Sequence, residues 1–168
     1  LGVDSDIHGG GSDLVFPHHE NEAAQTRAAR GQELARIWMH NGMLRFTGEK
    51  MSKSLGNVAS LRDVVERWGR ETLLVFFLTG HWRKPIDFSD ETMEAARAQA
   101  DSFRNAFVAH ADPASEGDWD VFAAALDDDF NTPEALALMH EWRAAGATAT
   151  LRRALEVFGL DSLAVRAE

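Results

Sequence analysis

The chain has 168 residues, of which 45% are apolar and 26% charged, and its net charge is −10 at pH 7. Such a composition is that of a globular protein with a hydrophobic core, and it excludes wholesale disorder and collagen-like repeats. The sequence contains no cysteine, which excludes disulfides, thiolate metal ligands and cysteine nucleophiles within it. No uncharged apolar run approaches the roughly 20 residues that span a bilayer, and no signal-peptide pattern is present. We therefore expect a cytoplasmic protein without a membrane partner.

The negative charge is confined to the second half of the chain. Residues 1–88 hold 11 acidic and 11 basic side chains, whereas residues 89–168 hold 16 acidic and 6 basic ones. Because an acidic surface repels phosphate, the second half is not expected to attract nucleic acid in a sequence-independent way. Any contact with nucleic acid must therefore be local.

The first half alternates element types in the way of an α/β domain. Ser5–His8 predicts a short strand that ends in a glycine loop, and a helix is expected over about His18–Arg30. Ala35–Phe46 predicts two short extended segments on either side of Asn41-Gly42. A polar loop, Thr47–Asn57, follows them.

From residue 60 onward, caps, glycine stops and apolar residues at helical spacing predict a series of helices. The longest begins after Ser89 and reaches about His110. The others are expected over Ser60–Trp68, Arg70–Leu78, Asp118–Leu126, from a cap at Thr132, and over Ala149–Phe158. The sequence thus predicts an α/β part over residues 1–88 and a helical bundle over residues 89–168.

A run of three glycines with a following aspartate is the first candidate site. Gly9, Gly10 and Gly11 would let a ligand approach the backbone closely, and Asp13 can accept hydrogen bonds from ribose hydroxyls. The same residues equally suit a tight turn after a strand, with Asp13 as its cap.

His18 and Glu22 form the second candidate site, because a spacing of four places both on one face of a helix. Imidazole nitrogen and carboxylate oxygen are zinc ligands, and this pair would supply half of a tetrahedral site. Ordinary polar residues at a helix start give the same pattern. His8 and His19 could add ligands in principle, although His19 is expected to project about a quarter-turn away from His18 and His8 lies on a separate segment. With two ligands and no cysteine, the chain is expected to hold zinc only weakly.

The third candidate is the polar loop, which contains Lys50-Met51-Ser52-Lys53-Ser54. Lys50 and Lys53 can neutralise charge on a leaving pyrophosphate, whereas a solvated basic turn is the alternative. Because Thr47–Ser54 is polar and lacks core-forming side chains, we expect the loop to be mobile when no nucleotide is bound.

Three segments resemble the corresponding segments of cysteinyl-tRNA synthetases in order and spacing. They are His8–Asp13, Phe16–Glu22 and Lys50–Asn57. Residues 127–133 look like the entry to the anticodon-side helical domain of that family. The family belongs to the class I aminoacyl-tRNA synthetases, whose Rossmann-like catalytic domain carries a HIGH-type and a KMSKS-type signature. The resemblance implies the C-terminal part of such a catalytic domain and part of a helical bundle, with the HIGH signature and two zinc-binding cysteines upstream of residue 1.

The resemblance implies ATP-dependent activation of cysteine and its transfer to cysteine tRNA. His18 and Glu22 would be two ligands of a zinc ion that binds the substrate thiolate, and His8 would lie near the bound amino acid. Zinc makes chemical sense here, because soft sulfur binds it directly and a serine hydroxyl binds it poorly.

The resemblance also assigns a nucleotide site. Asp13 and Gly9–Gly11 would bind ATP, which brings Mg²⁺, and Lys53 would stabilise the phosphates with Lys50 in support. His40–Met43 matches the strand that runs beside adenine in class I enzymes. We expect a monomer, and we expect the isolated chain to be inactive.

Two other functions stay open. Mycothiol ligases share the ancestry of these synthetases and also activate cysteine with ATP and zinc, but His8 and the Asn21-Glu22 pair match the synthetase pattern. The second is a non-catalytic module that only folds, or that holds tRNA through its helical half.

Overall fold

The computed structural model describes residues 5–46, 60–109 and 115–164. The chain forms two compact units, a site-bearing unit of Leu1–Arg45 with Trp82–Ile86, and a helical unit of Phe46–His81 with Asp87–Glu168. This division reflects packing, so the predicted domain boundary between residues 88 and 89 stays a prediction. Within the described ranges, none of the helices combines the length and the apolar character that a membrane crossing needs.

The site-bearing unit has the predicted β–α–β order. Strands β1 (Ser5–Gly11) and β2 (Ala35–Asn41) pair in parallel, and helix α1 (Glu20–Arg30) connects them. Two short helical turns, Ser12–Leu14 and Val15–His19, lead from β1 to α1. The prediction of a glycine loop after His8 is wrong, because all three glycines continue β1 and pair with residues of β2.

The register of these strands decides which side chains share a face of the sheet. His8 lies beside Trp38, and Gly10 lies beside His40. Because side chains alternate along a strand, His8, Trp38 and His40 all point to one face. A side chain at Gly10 would meet the ring of His19 at 3.0 Å, so this glycine makes room for the histidine.

The helical unit contains six α-helices among its described residues, and they match the predicted helices to within a few residues. They are α2 (Leu61–Trp68), α3 (Arg70–Leu78), α4 (Asp90–Ala109), α5 (Trp119–Asp127), α6 (Thr132–Ala145) and α7 (Thr148–Val157). A short 3-10 helix, Asp161–Ala164, follows α7. Two short strands, β3 (Leu44–Phe46) and β4 (Ile86–Phe88), form a separate two-stranded sheet, in which β4 was not predicted.

The caps and the buried face of the helices follow from local sequence. Ser60 begins α2 with a capping box, in which its side chain and that of Asp63 each bond to the other's backbone N–H. Asn131, rather than the expected Thr132, caps α6 through its side-chain oxygen. In α4, the apolar residues at helical spacing are buried as predicted, namely Met93, Ala96, Ala100, Phe103 and Phe107.

Candidate functional site

Histidines and one glutamate cluster where the start of α1 lies against β1 and β2. The Nε2 atom of His8 is 3.1 Å from Oε2 of Glu22, and the Nε2 atom of His18 is 3.5 Å from Oε1 of the same carboxylate. The rings of His8 and His19 meet edge to face with their centroids 4.7 Å apart. One possible ligand atom from each of His8, His19 and Glu22 lies within 4.8 Å of the others.

The predicted zinc ligands His18 and Glu22 come together as their spacing indicates, although α1 begins only at Glu20 and His18 lies in the preceding turn. Nitrogen and oxygen ligands of one tetrahedral zinc, each about 2.1 Å from it, are about 3.4 Å apart. The observed 3.5 Å between His18 Nε2 and Glu22 Oε1 matches that separation. These two side chains therefore fit a zinc ion, while their role as its ligands stays a prediction.

The second oxygen of Glu22 has an unmet hydrogen-bonding capacity. Its Oε2 atom is buried and accepts no hydrogen bond from the described residues, because the 3.1 Å contact with His8 falls short of hydrogen-bond geometry. Buried polar atoms are almost always satisfied in proteins. The carboxylate is thus poised to gain either a donor or a cation.

His19 is the buried member of the cluster, with 5% of its surface exposed. Its Nδ1 atom lies 2.8 Å from Nε2 of His40, so one of these two nitrogens donates a proton to the other. Its ring also packs against Trp38, with centroids 5.4 Å apart. Burial above all, and then the neighbouring His8 and His40, lower the pKa of His19 below its ordinary value of 6.5. Burial thus favours the neutral form of this ring.

Sequence reasoning underestimated His19 and did not foresee its bond with His40. His19 precedes Glu22 by three residues, a spacing that brings side chains together on a helix, and this was the available signal. No local pattern could connect His40, because it lies 21 residues further along the chain and reaches His19 through strand pairing.

The residues expected to bind ATP occupy the end of β1. Gly9, Gly10 and Gly11 complete the strand, and Asp13 follows in the next turn with its carboxylate against Gly11. In α/β sheets, nucleotides bind at the carboxyl ends of parallel strands. These residues thus lie where a nucleotide would bind in such a sheet, and their role in ATP binding stays a prediction. Lys50 and Lys53, together with the predicted mobility of their loop, lie outside the described residues.

A recess of about 230 Å³ lies beside the cluster and is lined in part by His19, Trp38 and His40. Arg27 and Glu33 also line it and form a two-pronged ion pair with N···O distances of 2.9 and 3.0 Å. The hydrogen bonds from Arg27 lower the pKa of the Glu33 carboxyl. This side of the recess is thus polar with its charges paired.

Two family models match the chain. The model for tRNA synthetases class I (C) catalytic domain matches residues 1–98, and the model for the DALR domain matches residues 121–145. The chain therefore belongs to the class I tRNA synthetases of this (C) family. The predicted fold class, an α/β catalytic part followed by a helical part, is confirmed.

Curated relatives of the chain are named cysteine–tRNA ligase. The ligase of Pseudothermotoga lettingae is 44% identical over 151 residues, which cover 84% of this chain and 33% of the relative. The ligase of Azotobacter vinelandii is 49% identical over 144 residues, covering 84% and 31%, and that of Ectopseudomonas mendocina is 42% identical over 179 residues, covering 97% and 39%. The chain thus spans about a third of the length of these relatives. The resemblance to cysteinyl-tRNA synthetases is confirmed.

Solved structures of other synthetases share the fold. A LeuRS from Agrobacterium radiobacter K84, in a ternary complex with tRNA and LeuAMS, has a TM-score of 0.73 at 20% identity and covers 97% of this chain and 27% of its own. A methionyl-tRNA synthetase from Mycobacterium tuberculosis, in complex with methionyl-adenylate, has a TM-score of 0.56 at 21% identity and covers 95% and 38%. At these identities the likeness extends to the fold alone.

Proposed function

We propose that this chain is the part of a cysteine–tRNA ligase that supplies two zinc ligands and the KMSKS-type loop. The observation that carries the proposal is the 3.5 Å pair of His18 Nε2 and Glu22 Oε1. Relatives with that name, at 42% to 49% identity, support it. The reaction is ATP-dependent activation of cysteine and its transfer to cysteine tRNA.

The metal ligands account for the choice of amino acid. When bound, zinc supplies a soft cation for the sulfur of cysteine, whereas the hydroxyl of serine is a poor ligand. His18 and Glu22 would hold zinc from one side, and the remaining ligands must come from outside this sequence, which has no cysteine. His8 lies next to this pair, in line with the contact to the amino acid that we propose for it.

Activation of cysteine by ATP requires groups that stabilise the negative charge of the phosphates. The carboxylate of cysteine attacks the α-phosphate of ATP, and pyrophosphate leaves; a terminal hydroxyl of the tRNA then takes the aminoacyl group and AMP leaves. We assign Lys53, with Lys50 in support, to the charge that develops on pyrophosphate. Asp13 and Gly9–Gly11 would bind the nucleoside end of ATP, and Mg²⁺ enters with its phosphates.

The helical part would serve the tRNA side of the reaction, and the DALR match lies within α5 and α6. Residues 89–168 hold 16 acidic and 6 basic side chains, so we expect weak binding of tRNA by this chain alone. The protein is proposed to act as a monomer in the cytoplasm, where ATP and tRNA are available.

The catalytic assignment can be tested with a chimera. In this chimera, the chain replaces the matching segment of the Azotobacter vinelandii ligase. We expect cysteine-dependent exchange of pyrophosphate into ATP. Lys53→Ala should lower kcat with little change in the KM for cysteine, since the phosphate charge grows toward the transition state; each tenfold loss corresponds to about 1.4 kcal/mol. Lys84→Ala, which removes an exposed lysine from outside the loop, is the matched control.

Two results would contradict the proposal. A folded chimera without cysteine-dependent exchange would leave the non-catalytic module as the better interpretation. If Lys53→Ala instead weakened cysteine binding at unchanged kcat, the role of the loop in phosphate stabilisation would be wrong.

A further inference from the structure

The two oxygens of the Glu22 carboxylate have different neighbours. Oε1 lies 3.5 Å from Nε2 of His18, at the separation expected for two ligands of one cation. Oε2 lies 3.1 Å from Nε2 of His8 and is buried without a hydrogen bond from the described residues. The carboxylate thus has one oxygen toward the proposed metal pair and one toward His8.

The ring of His8 is held in place by its neighbours. It packs edge to face on Trp38, at a centroid distance of 4.8 Å, and on His19 at 4.7 Å. Its backbone is fixed by the pairing of β1 with β2. The Nε2 atom of this ring lies within hydrogen-bond distance of Oε2 of Glu22, at 3.1 Å, so a change of ring orientation is enough to complete a hydrogen bond.

We propose that His8 is a positioning residue for Glu22: its Nε2–H donates to Oε2 and leaves Oε1, with Nε2 of His18, to face a divalent cation. The proposal rests on the proposed function, in which His18 and Glu22 are metal ligands. Carboxylates that bind metals are commonly held by such outer hydrogen bonds, which fix their orientation. This role is separate from the contact with the amino acid that the resemblance assigns to His8.

The competing arrangement makes His8 a ligand itself, together with His19 and Glu22, whose ligand atoms lie within 4.8 Å of one another. In that arrangement Nε2 of His19 would face the cation, since its Nδ1 is engaged with His40 at 2.8 Å. The 3.1 Å between His8 Nε2 and Glu22 Oε2 is within N–H···O distance, and a hydrogen bond there would satisfy the buried Oε2 atom, which favours the positioning role.

Two substitutions at His8 separate these arrangements in the chimera with the Azotobacter vinelandii ligase, whose other segments would supply the remaining metal ligands. Zinc affinity is measured by competition against a chromophoric chelator. His8→Gln places an amide N–H at a similar reach from the backbone, but glutamine is a poor zinc ligand. His8→Phe keeps the ring contacts with Trp38 and His19 and removes the donor. We expect His8→Phe to weaken zinc binding by about 10- to 100-fold and His8→Gln to stay within about threefold of the unsubstituted chimera. Circular dichroism of each variant checks that it is folded.

Every other result overturns the proposal in a distinguishable way. Equal loss with glutamine and phenylalanine would mean that His8 is a metal ligand. No loss with either variant, while His18→Ala still releases zinc, would remove His8 from the site and leave the proposed metal pair intact. If the chimera binds no zinc, or if His18→Ala has no effect on its zinc binding, the metal pair itself is wrong and the positioning role with it.

Discussion

The site-bearing unit and the helical unit differ in what they bury. Among the described residues, Ala35 is the one buried apolar side chain of the site-bearing unit, and all the other buried apolar side chains belong to the helical unit. Ile7 and Ile37 pair on the sheet face opposite the histidines and are exposed by 58% and 54%. The helical unit is therefore stabilised by hydrophobic burial, and the site-bearing unit by strand pairing and by contacts among rings and polar groups.

Because of this difference, we expect a bound cation to stabilise the site-bearing unit more than the helical unit. A ligand stabilises the part of a protein that forms its site, and the gain counts most where other contacts are few. His19, the one buried polar side chain that is described in the site-bearing unit, belongs to the cluster around Glu22. Metal binding and core packing should consequently act on different units.

The largest expected effect is the loss of a core side chain from the helical unit. Phe122 is fully buried against the rings of Trp119, Trp142 and Phe158. Phe122→Ala should lower the free energy of unfolding by about 3–5 kcal/mol, measured by urea denaturation with circular dichroism. Phe16→Ala, which removes an aromatic ring that is 75% exposed in the site-bearing unit, should cost less than about 0.5 kcal/mol. Similar losses from the two variants would break the comparison.

Zinc should have the next largest effect, confined to the site-bearing unit. When the free zinc concentration is tenfold above its Kd, zinc binding stabilises the folded site by about 1.4 kcal/mol. Hydrogen exchange of amides in β1, α1 and β2 should therefore slow by about tenfold, while exchange in α5–α7 stays unchanged. His18→Ala should abolish the slowing. Protection spread evenly over both units would show that they do not respond separately.

A smaller effect is expected from a helix cap. The side chain of Asp118 accepts hydrogen bonds from the backbone N–H groups of Asp120 and Val121 at the start of α5. Asp118→Ala should lower the free energy of unfolding by about 1 kcal/mol, whereas Asp118→Asn keeps the acceptor and should retain most of the stability. The same denaturation experiment measures both, and an equal loss from the two variants would mean that the side-chain oxygen is not what stabilises the helix.

The smallest effect concerns pH and the helical unit. His140 stacks on Phe103 and lies 2.9 Å from the side-chain oxygen of Gln99. Burial first, and then the charge of Arg143, lower the pKa of His140 below 6.5. The unfolded chain thus takes up a proton more readily, so His140 should destabilise the fold as pH drops below 6.5, with no such penalty above it.

Urea denaturation of the parent chain and of His140→Gln measures the contribution of His140 to stability. The series runs from pH 7.5 to pH 5 in steps of about one-half pH unit. The difference in stability between the two should shift in favour of the variant as the pH falls. A constant difference would show that His140 does not titrate in this range.

The sequence by itself determined most of the local structure. Ser60 and Asp63 form the predicted start of α2, because a capping box needs only residues three apart. The buried face of α4 follows from the helical period of its apolar residues, such as Met93 and Phe103. The proximity of His18 and Glu22 was likewise predictable from a spacing of four. These features depend on neighbours along the chain, so the sequence contains them directly.

Only the tertiary structure decided how the candidate site is assembled. The parallel register that sets His8 beside Trp38 and Gly10 beside His40 joins segments about 30 residues apart, and no local pattern encodes it. That pairing brings His8 to Oε2 of Glu22 and His40 to His19. It also draws Gly9–Gly11 into β1, because backbone pairing with β2 outweighs the preference of glycine for a turn. The chemistry of the residues was legible in the sequence, but their partners depended on which strands lie side by side.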